Sequence, residues 1–165
     1  MAFMADASAR FGDEPGLCLV GRAPGALNTC LALHTSFTDS VPLVMLIGQA
    51  AIAHAEREAY LGIDDFQRTF GPMSKWVALV PEASRLPEFM SRAFHVALSG
   101  RRGPVVLVLP QDVLHQVAEV RLPATPPAPL CIAPAAADLE RLQELLRAAL
   151  HDVDAPAEQL QRLGL

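Results

Sequence analysis

A chain of 165 residues has room for one domain and a linker, and 52% of its residues are hydrophobic while 19% are charged. The formal net charge is −5, and the 13 lysines and arginines are scattered, which excludes a basic stripe for nucleic acid. The apolar runs fall short of the roughly 20 residues of a membrane span, and the first residues lack the basic flank of a signal peptide. The sequence therefore predicts a cytoplasmic protein with no nucleic acid and no membrane partner.

The first part of the chain predicts two helices and two strands. An amphipathic, alanine-rich pattern predicts a helix over Ala2–Phe11, and a short apolar run predicts a buried strand over Leu17–Val20. After a Pro-Gly turn, small residues predict a helix over Ala26–Phe37, and a longer apolar run predicts a strand over Pro42–Gly48. Since the chain opens inside its first helix, we expect the strand that would precede that helix to be missing.

The next part predicts two more strands and a long helix between them. A weak helical signal runs over His54–Tyr60, and strand-like composition returns over Ser74–Val80. Pro87 begins a helix with apolar residues at spacings of three and four, because proline is tolerated in a first helical turn. A second apolar strand follows over Val105–Leu109. Strands alternating with helices predict a parallel α/β sheet, whose ligands bind at the carboxyl edge of the strands.

Composition changes after the last predicted strand. Residues 121–134 are rich in proline and predict an extended linker. A helix with a leucine stripe begins in residues 135–165, and no strand follows it there. We therefore interpret residues 1–120 as an α/β domain, incomplete at its N-terminus, and residues 135–165 as the start of an abandoned central domain. The leucine stripe is too short for a coiled coil, which needs about three heptads, and is interpreted as an orphaned domain-contact face.

Cysteines, histidines and serines indicate no metal site and no hydrolase. Cys18, Cys30 and Cys131 are odd in number without metal-like spacing, which favours reduced, apolar thiols. The serines lack the context of a nucleophile elbow. The five histidines are far apart in the sequence: His34, His54, His95, His115 and His151.

Motifs spread over residues 2–117 follow the order of one known domain, near its spacing. They are Ala5-Asp6-Ala7-x-Ala9-Arg10, the turn Arg22 to Asn28, Asp39-Ser40-x-Pro42, Gly48-Gln49, Phe66-Gln67, Lys75-Trp76, and Gly103-Pro104-Val105 to Pro110-x-Asp112. In this order they resemble the N-terminal, pyrimidine-binding domain of thiamine diphosphate enzymes similar to acetolactate synthase.

The resemblance implies a doubly wound parallel sheet, the thiamine diphosphate-binding fold, here with its first strand missing. It implies that Pro24, Gly25 and Asn28 border the aminopyrimidine ring of thiamine diphosphate, at an interface with the diphosphate-binding domain of a partner subunit. Mg²⁺ would be held only through that domain, which these residues do not include. The implied reaction of the complete enzyme is decarboxylation of a 2-keto acid followed by carboligation.

Three departures from the family pattern bear on activity. The glutamate that activates the ring would lie a few residues before Ala2, so no catalytic residue is assigned and no turnover is expected from this polypeptide alone. Ala23 replaces the first glycine of a Gly-Pro-Gly turn, which is harmless only where φ is negative. Arg68 stands where the family often has glutamate, which reverses a charge near the substrate pocket.

Candidate pocket residues each have a structural alternative. Gln49 follows a strand end, where a side chain points into the cleft, and Gln67 is a second pocket candidate; both would also suit a solvated loop. Lys75 would face the substrate channel or extend to water from a strand start. The segment from Pro24 to Asn28 would also suit a helix-start turn that binds nothing.

Two other functions remain open. A non-catalytic interaction module would use the dimerisation face of the domain to pair with itself or with a full-length relative. A decayed or frame-shifted product would also lose strand-like sequence after Leu150. An incomplete sheet exposes an edge, so we expect a homo-oligomer or a complex with such a relative.

Overall fold

A computed structural model describes residues 1–54, 62–63, 65–119 and 133–162, with side chains to residue 150 in the last range. The chain divides into two compact units, Met1–Cys131 and Ile132–Leu165. The second unit contains one helix, α7 (Ala136–Arg162), among its described residues. The elements of the first unit are α1 (Ala2–Phe11), β1 (Gly16–Gly21), α2 (Arg22–Leu27), α3 (Cys30–Thr38), β2 (Leu43–Gln49), α4 (Phe66–Phe70), β3 (Trp76–Leu79), α5 (Leu86–Leu98), β4 (Pro104–Pro110) and α6 (Gln111–Leu114).

The four strands form one parallel sheet in the order β1-β2-β4-β3. Met45 and Ile47 of β2 face a core that includes residues of α1, α3 and α4, while Val44 and Leu46 face a core with α5 and α6. Helices therefore cover both faces, and the predicted doubly wound α/β fold is confirmed. The central strands β2 and β4 are buried because both of their faces and both of their edges are covered, as their unbroken apolar runs predicted.

Helix α1 lies very close to the start of β1. A Cβ atom added at Gly16 would overlap the carbonyl oxygen of Ala5 and come within 2.7 Å of its carbonyl carbon. The buried Asp6 accepts hydrogen bonds from Arg10 Nε at 2.7 Å and from Ser36 Oγ of α3 at 2.7 Å. Arg10 also reaches Asp39 Oδ2 at 2.7 Å, so polar bonds and close packing together dock α1.

The predicted single helix over Ala26–Phe37 is wrong, because two helices occupy this region. Helix α2 begins at Arg22, four residues earlier than expected, and α3 begins at Cys30. The buried Thr29 interrupts them: its amide and its hydroxyl both donate to the Ala26 carbonyl oxygen, at 3.0 and 2.5 Å. This tight turn interrupts the regular hydrogen bonding of a continuous helix, so that α2 and α3 are separate.

The remaining predicted elements lie near their expected positions where the structure describes them. The long helix appears as α5, and the strand-like run at Ser74–Val80 contains β3. At this edge of the sheet the Trp76 ring stacks on Phe89 at 5.9 Å, with the Arg92 guanidinium 4.4 Å from the Trp76 centroid. The predicted helix over His54–Tyr60 and the linker over residues 121–134 lie largely outside the described residues.

Candidate functional site

The carboxyl ends of the four parallel strands meet at one edge of the sheet, which is where α/β folds bind ligands. Gly21 at the end of β1 pairs in register with Gly48 of β2, and Gln49 pairs with Pro110 at the end of β4. The start of α2 and the side chain of Gln49 are therefore brought to the same edge. Helix α6 begins there as well, directly after β4.

The start of α2 forms one side of this edge. Arg22 has φ 47°, a left-handed conformation unusual for a residue with a side chain. Positive φ occurs at two non-glycine residues within the described ranges, Arg22 and Ser40, so the φ angle of Ala23 is negative. The methyl group of Ala23 is thus compatible with the backbone, and the departure from glycine at this position does not strain the turn.

Pro24, Gly25 and Asn28 all belong to or end α2. Pro24 and Gly25 lie inside the helix rather than in a turn before it, and Asn28 is its C-terminal cap. Pro24 and Asn28 are exposed, and Gly25 is half-buried. A Cβ at Gly25 would lie 3.5 Å from Val20 Cβ, an ordinary contact, so glycine is not required there for space inside the fold.

Gln49 carries an unused hydrogen-bonding atom. Its Nε2 donates to the Ile63 carbonyl oxygen at 3.0 Å, which fixes the side chain against the segment before α4. Its Oε1 is buried and has no hydrogen-bond partner among the residues that the structure describes. Because buried polar atoms are normally satisfied, this oxygen is an acceptor that no described residue of the chain satisfies.

Two polar contacts join the ends of the strands and were not anticipated from the sequence. Arg22 Nη2 lies 3.5 Å from Gln111 Oε1, which links the start of α2 to the start of α6. Asp112 Oδ2 accepts from the Ile52 amide at 3.0 Å and so holds the loop after β2. The motifs that begin at Arg22 and at Pro110 were the sequence signals nearest to these contacts.

The other two predicted pocket residues, Gln67 and Lys75, do not belong to this group of residues at the carboxyl ends of the strands. Gln67 is exposed on α4, whose start is capped by Asp65 Oδ1 accepting from the Arg68 amide at 2.8 Å. Lys75 precedes β3 and therefore lies at the amino edge of the sheet, opposite Gln49. Its Nζ donates to the carbonyl oxygens of Val96 and of Ser99, the latter at 2.6 Å.

The Lys75 side chain thus caps the C-terminal end of α5 rather than facing the carboxyl edge or extending freely into water. Burial lowers the pKa of Lys75. This position stabilises the charged ammonium group, because the last carbonyl groups of a helix carry partial negative charge. The structure therefore separates Lys75 from Gln49 and from the start of α2.

The described ranges contain no group of three histidine, cysteine, aspartate or glutamate residues placed to hold a metal ion. Burial raises the pKa of the Cys18 and Cys30 thiols, which are both unpaired, while Cys131 lies outside the described residues. None of the helices within these ranges combines the length and apolar character needed to cross a membrane.

Comparison with known proteins identifies close sequence similarity to one group. Residues 1–69 match the family model described as thiamine pyrophosphate enzyme, N-terminal TPP binding domain. Over 112 residues, 68% of this chain and 19% of the relative, the sequence is 41% identical to an acetolactate synthase of Arthrospira platensis. It is 39% identical over 117 residues to the acetolactate synthase isozyme 3 large subunit of Escherichia coli, with 68% of this chain and 19% of the relative covered.

A glyoxylate carboligase of Escherichia coli O157:H7 is also similar, with 37% identity over 105 residues, 64% of this chain and 17% of that protein. The chain thus spans about a fifth of the length of the curated relatives that it matches.

Proposed function

We propose that this chain, which belongs to the N-terminal domains of thiamine pyrophosphate enzymes and is related to acetolactate synthases, binds the aminopyrimidine ring of thiamine diphosphate at the carboxyl edge of its sheet. The observation that carries this proposal is the buried Gln49 Oε1, which no described part of the chain hydrogen-bonds and which lies one residue beyond the pairing of Gly48 with Gly21. An aminopyrimidine presents N–H donors that such an acceptor would satisfy.

The residues at this edge fit a flat, partly apolar ring. Pro24 and Asn28, four residues apart on α2, offer an exposed ring and an exposed amide, and the half-buried Gly25 has no side chain. We assign Pro24, Gly25 and Asn28 to binding of the pyrimidine. Gln49 orients the ring through its free oxygen, because its other end is already fixed to Ile63.

When bound, thiamine diphosphate supplies a carbanion nucleophile and an electron sink for decarboxylation and carboligation of 2-keto acids. We propose this reaction class for the complete enzyme, with Mg²⁺ and the diphosphate held by a domain of a partner. Gln49 and the exposed Gln67 are the candidate substrate-pocket residues of this chain, whereas Lys75 is omitted because it caps α5.

We assign no catalytic residue among the described side chains of this edge. The carboxylate of Asp112 is already engaged by the amides of Ile52 and Val113, at 3.0 and 3.1 Å, and holds a loop. We therefore expect the 165-residue polypeptide to bind the ring in the cytoplasm without turnover. Acetolactate formed from pyruvate by the purified polypeptide would contradict this expectation.

Calorimetric titration of the purified chain with thiamine diphosphate and Mg²⁺ tests the binding site. Saturable heat is expected, and Gln49→Leu should weaken binding about 10-fold or more, because one hydrogen bond to a buried acceptor is lost. Gln143→Leu makes the same change at an exposed glutamine of α7 and should leave the affinity unaltered. No heat from a folded chain, or equal affinity in the Gln49 variant, would overturn the assignment.

A non-catalytic interaction module is the second candidate, and one observation favours it. Leu17 and Leu19 of β1 remain 49% and 57% exposed on a strand that carries no charge. Co-purification with a full-length acetolactate synthase relative distinguishes the two functions, since a module of this kind requires a complex whether or not thiamine diphosphate is present.

A further inference from the structure

Asp112 holds two turns at the carboxyl ends of the strands with one carboxylate group. Its Oδ2 accepts from the Ile52 amide at 3.0 Å, and its Oδ1 accepts from the Val113 amide at 3.1 Å. Ile52 begins a short 3-10 helical turn, Ile52–His54. A carboxylate that accepts from the first amide of a turn caps that turn, because this amide has no partner within it. Asp112 therefore fixes the start of the turn that follows β2.

The carboxylate of Asp112 is itself held against the core. The next residue, Val113, is 3% exposed and packs in the cluster that contains residues of β2, β4 and α5. Asp112 is half-buried, and each of its two oxygens accepts from a backbone amide, which fixes the orientation of the side chain. The contact with Ile52 joins residues that are 60 positions apart in the sequence. It therefore ties the end of β4 to the end of β2 beyond the last paired residues of the sheet.

Gln49 lies between this contact and the sheet. It pairs in register with Pro110, which is the last pair between β2 and β4. Asp112, two residues beyond Pro110, holds Ile52, three residues beyond Gln49. The backbone is therefore held at Gln49 by the sheet and at Ile52 by the cap. The Gln49 Nε2 also donates to the Ile63 carbonyl oxygen at 3.0 Å, so three contacts together determine where the buried Oε1 lies.

We propose that Asp112 is a positioning residue for thiamine diphosphate binding, which orients Gln49 Oε1 by capping the turn at Ile52. The proposal rests on the proposed function, in which this oxygen accepts from the aminopyrimidine ring. Asp112 acts through Gln49 and does not bind the ring, because both of its oxygens are already engaged. Without the cap, the segment after β2 gains conformational freedom. Binding must then order Gln49, which weakens the affinity.

Asp65 makes a cap of a different kind at the start of α4. Its Oδ1 accepts from the Arg68 amide at 2.8 Å, and its carbonyl oxygen accepts from the Thr69 hydroxyl at 2.8 Å. Both partners lie within four residues, so these contacts stabilise one helix locally. The cap made by Asp112 joins the ends of two strands, and its loss should therefore be felt at Gln49.

Calorimetric titration with thiamine diphosphate and Mg²⁺ tests this role. Asp112→Ala should weaken binding about 3- to 10-fold, whereas Asp112→Asn should stay within about 2-fold, because the asparagine oxygen still accepts from the Ile52 amide. In the Gln49→Leu background, Asp112→Ala should cause no further loss, since the oxygen that it orients is gone. Asp39→Ala is the matched control: it removes the ion pair with Arg10 ahead of β2, at the amino edge of the sheet, and should leave the affinity unaltered.

A measurement without ligand follows the orientation of Gln49 directly. In nitrogen–proton correlation spectra, Asp112→Ala should move the side-chain amide signals of Gln49 toward those of exposed glutamines, and Asp112→Asn should leave them in place. The dispersion of the same spectra verifies that both variants are folded.

Two kinds of failure can be told apart. No heat from the unaltered chain would overturn the proposed function and this inference with it. Four results would overturn this inference alone: heat that Asp112→Ala does not reduce, a loss in Asp112→Asn as large as in Asp112→Ala, an equal loss in the Gln49→Leu background, or unmoved Gln49 amide signals.

Discussion

Substitution Gly16→Ala tests the close docking of α1 on β1. A methyl group at Gly16 would overlap the Ala5 carbonyl oxygen and would lie 3.2 Å from Leu43 Cδ1. The clash is with the backbone of a helix, which cannot rotate away as a flexible side chain does. Helix α1 must therefore shift or leave the sheet.

Complete undocking of α1 sets the upper limit of the cost. The helix buries the methyl groups of Ala2, Ala5 and Ala9, each worth about 0.8 kcal/mol. It also makes the buried hydrogen bond between Asp6 and Ser36, worth about 1.5 kcal/mol, and an exposed ion pair with Asp39 worth about 0.5 kcal/mol. The free energy of unfolding should therefore fall by about 2 to 4 kcal/mol.

Urea unfolding followed by circular dichroism measures this change, as a midpoint lowered by roughly 1 to 3 M at an m-value near 1.5 kcal/mol per M. Gly21→Ala is the matched control at the other end of β1: a Cβ there meets no atom within 4 Å, and its φ of −95° suits alanine. The control should be unchanged or slightly more stable, because alanine restricts the unfolded chain. A Gly16→Ala variant within about 0.5 kcal/mol of the unaltered chain would refute the reasoning.

Two further predictions concern charged groups. Burial acts to raise the pKa of Asp6, but the hydrogen bonds from Arg10 and Ser36 outweigh it, so the pKa is lowered overall. Its stabilisation is then complete above the unfolded value of about 3.9 and lost as the pH falls through the folded value, so Asp6→Asn should cost about 1 to 2 kcal/mol at pH 7 and less below pH 4. An equal difference in unfolding free energy at pH 3 and pH 7 would contradict this. Lys75→Met should lower the unfolding free energy by about 1 kcal/mol by removing the cap of α5, and an unchanged urea midpoint would show that the cap contributes nothing.

The strands could be predicted from the sequence because burial on two faces leaves an unbroken apolar run. The run at Pro42–Gly48 predicted β2 for this reason, and the run at Val105–Leu109 predicted β4. The break between α2 and α3 could not be predicted, because it depends on the hydroxyl of Thr29 bonding backward to Ala26 in a buried position.

Long-range partners were beyond the reach of the sequence for a similar reason. The spacing of Asp6 and Arg10 is a helical ion-pair signal, but nothing local connects them to Ser36, 30 residues later. Lys75 likewise finds its carbonyl partners 21 and 24 residues away. The strand-end position of Gln49 did predict a place at the carboxyl edge, since that follows from a parallel sheet alone.

The single tryptophan gives this chain a built-in optical probe of one edge of the sheet. Trp76 lies on β3, stacked on Phe89 and beneath Arg92, with β2 and β4 between its strand and β1. Its fluorescence should therefore report the docking of α5 on β3 and remain insensitive to local melting of α1. Comparing this emission with circular dichroism during urea unfolding would separate fraying at the β1 edge from cooperative loss of the whole sheet.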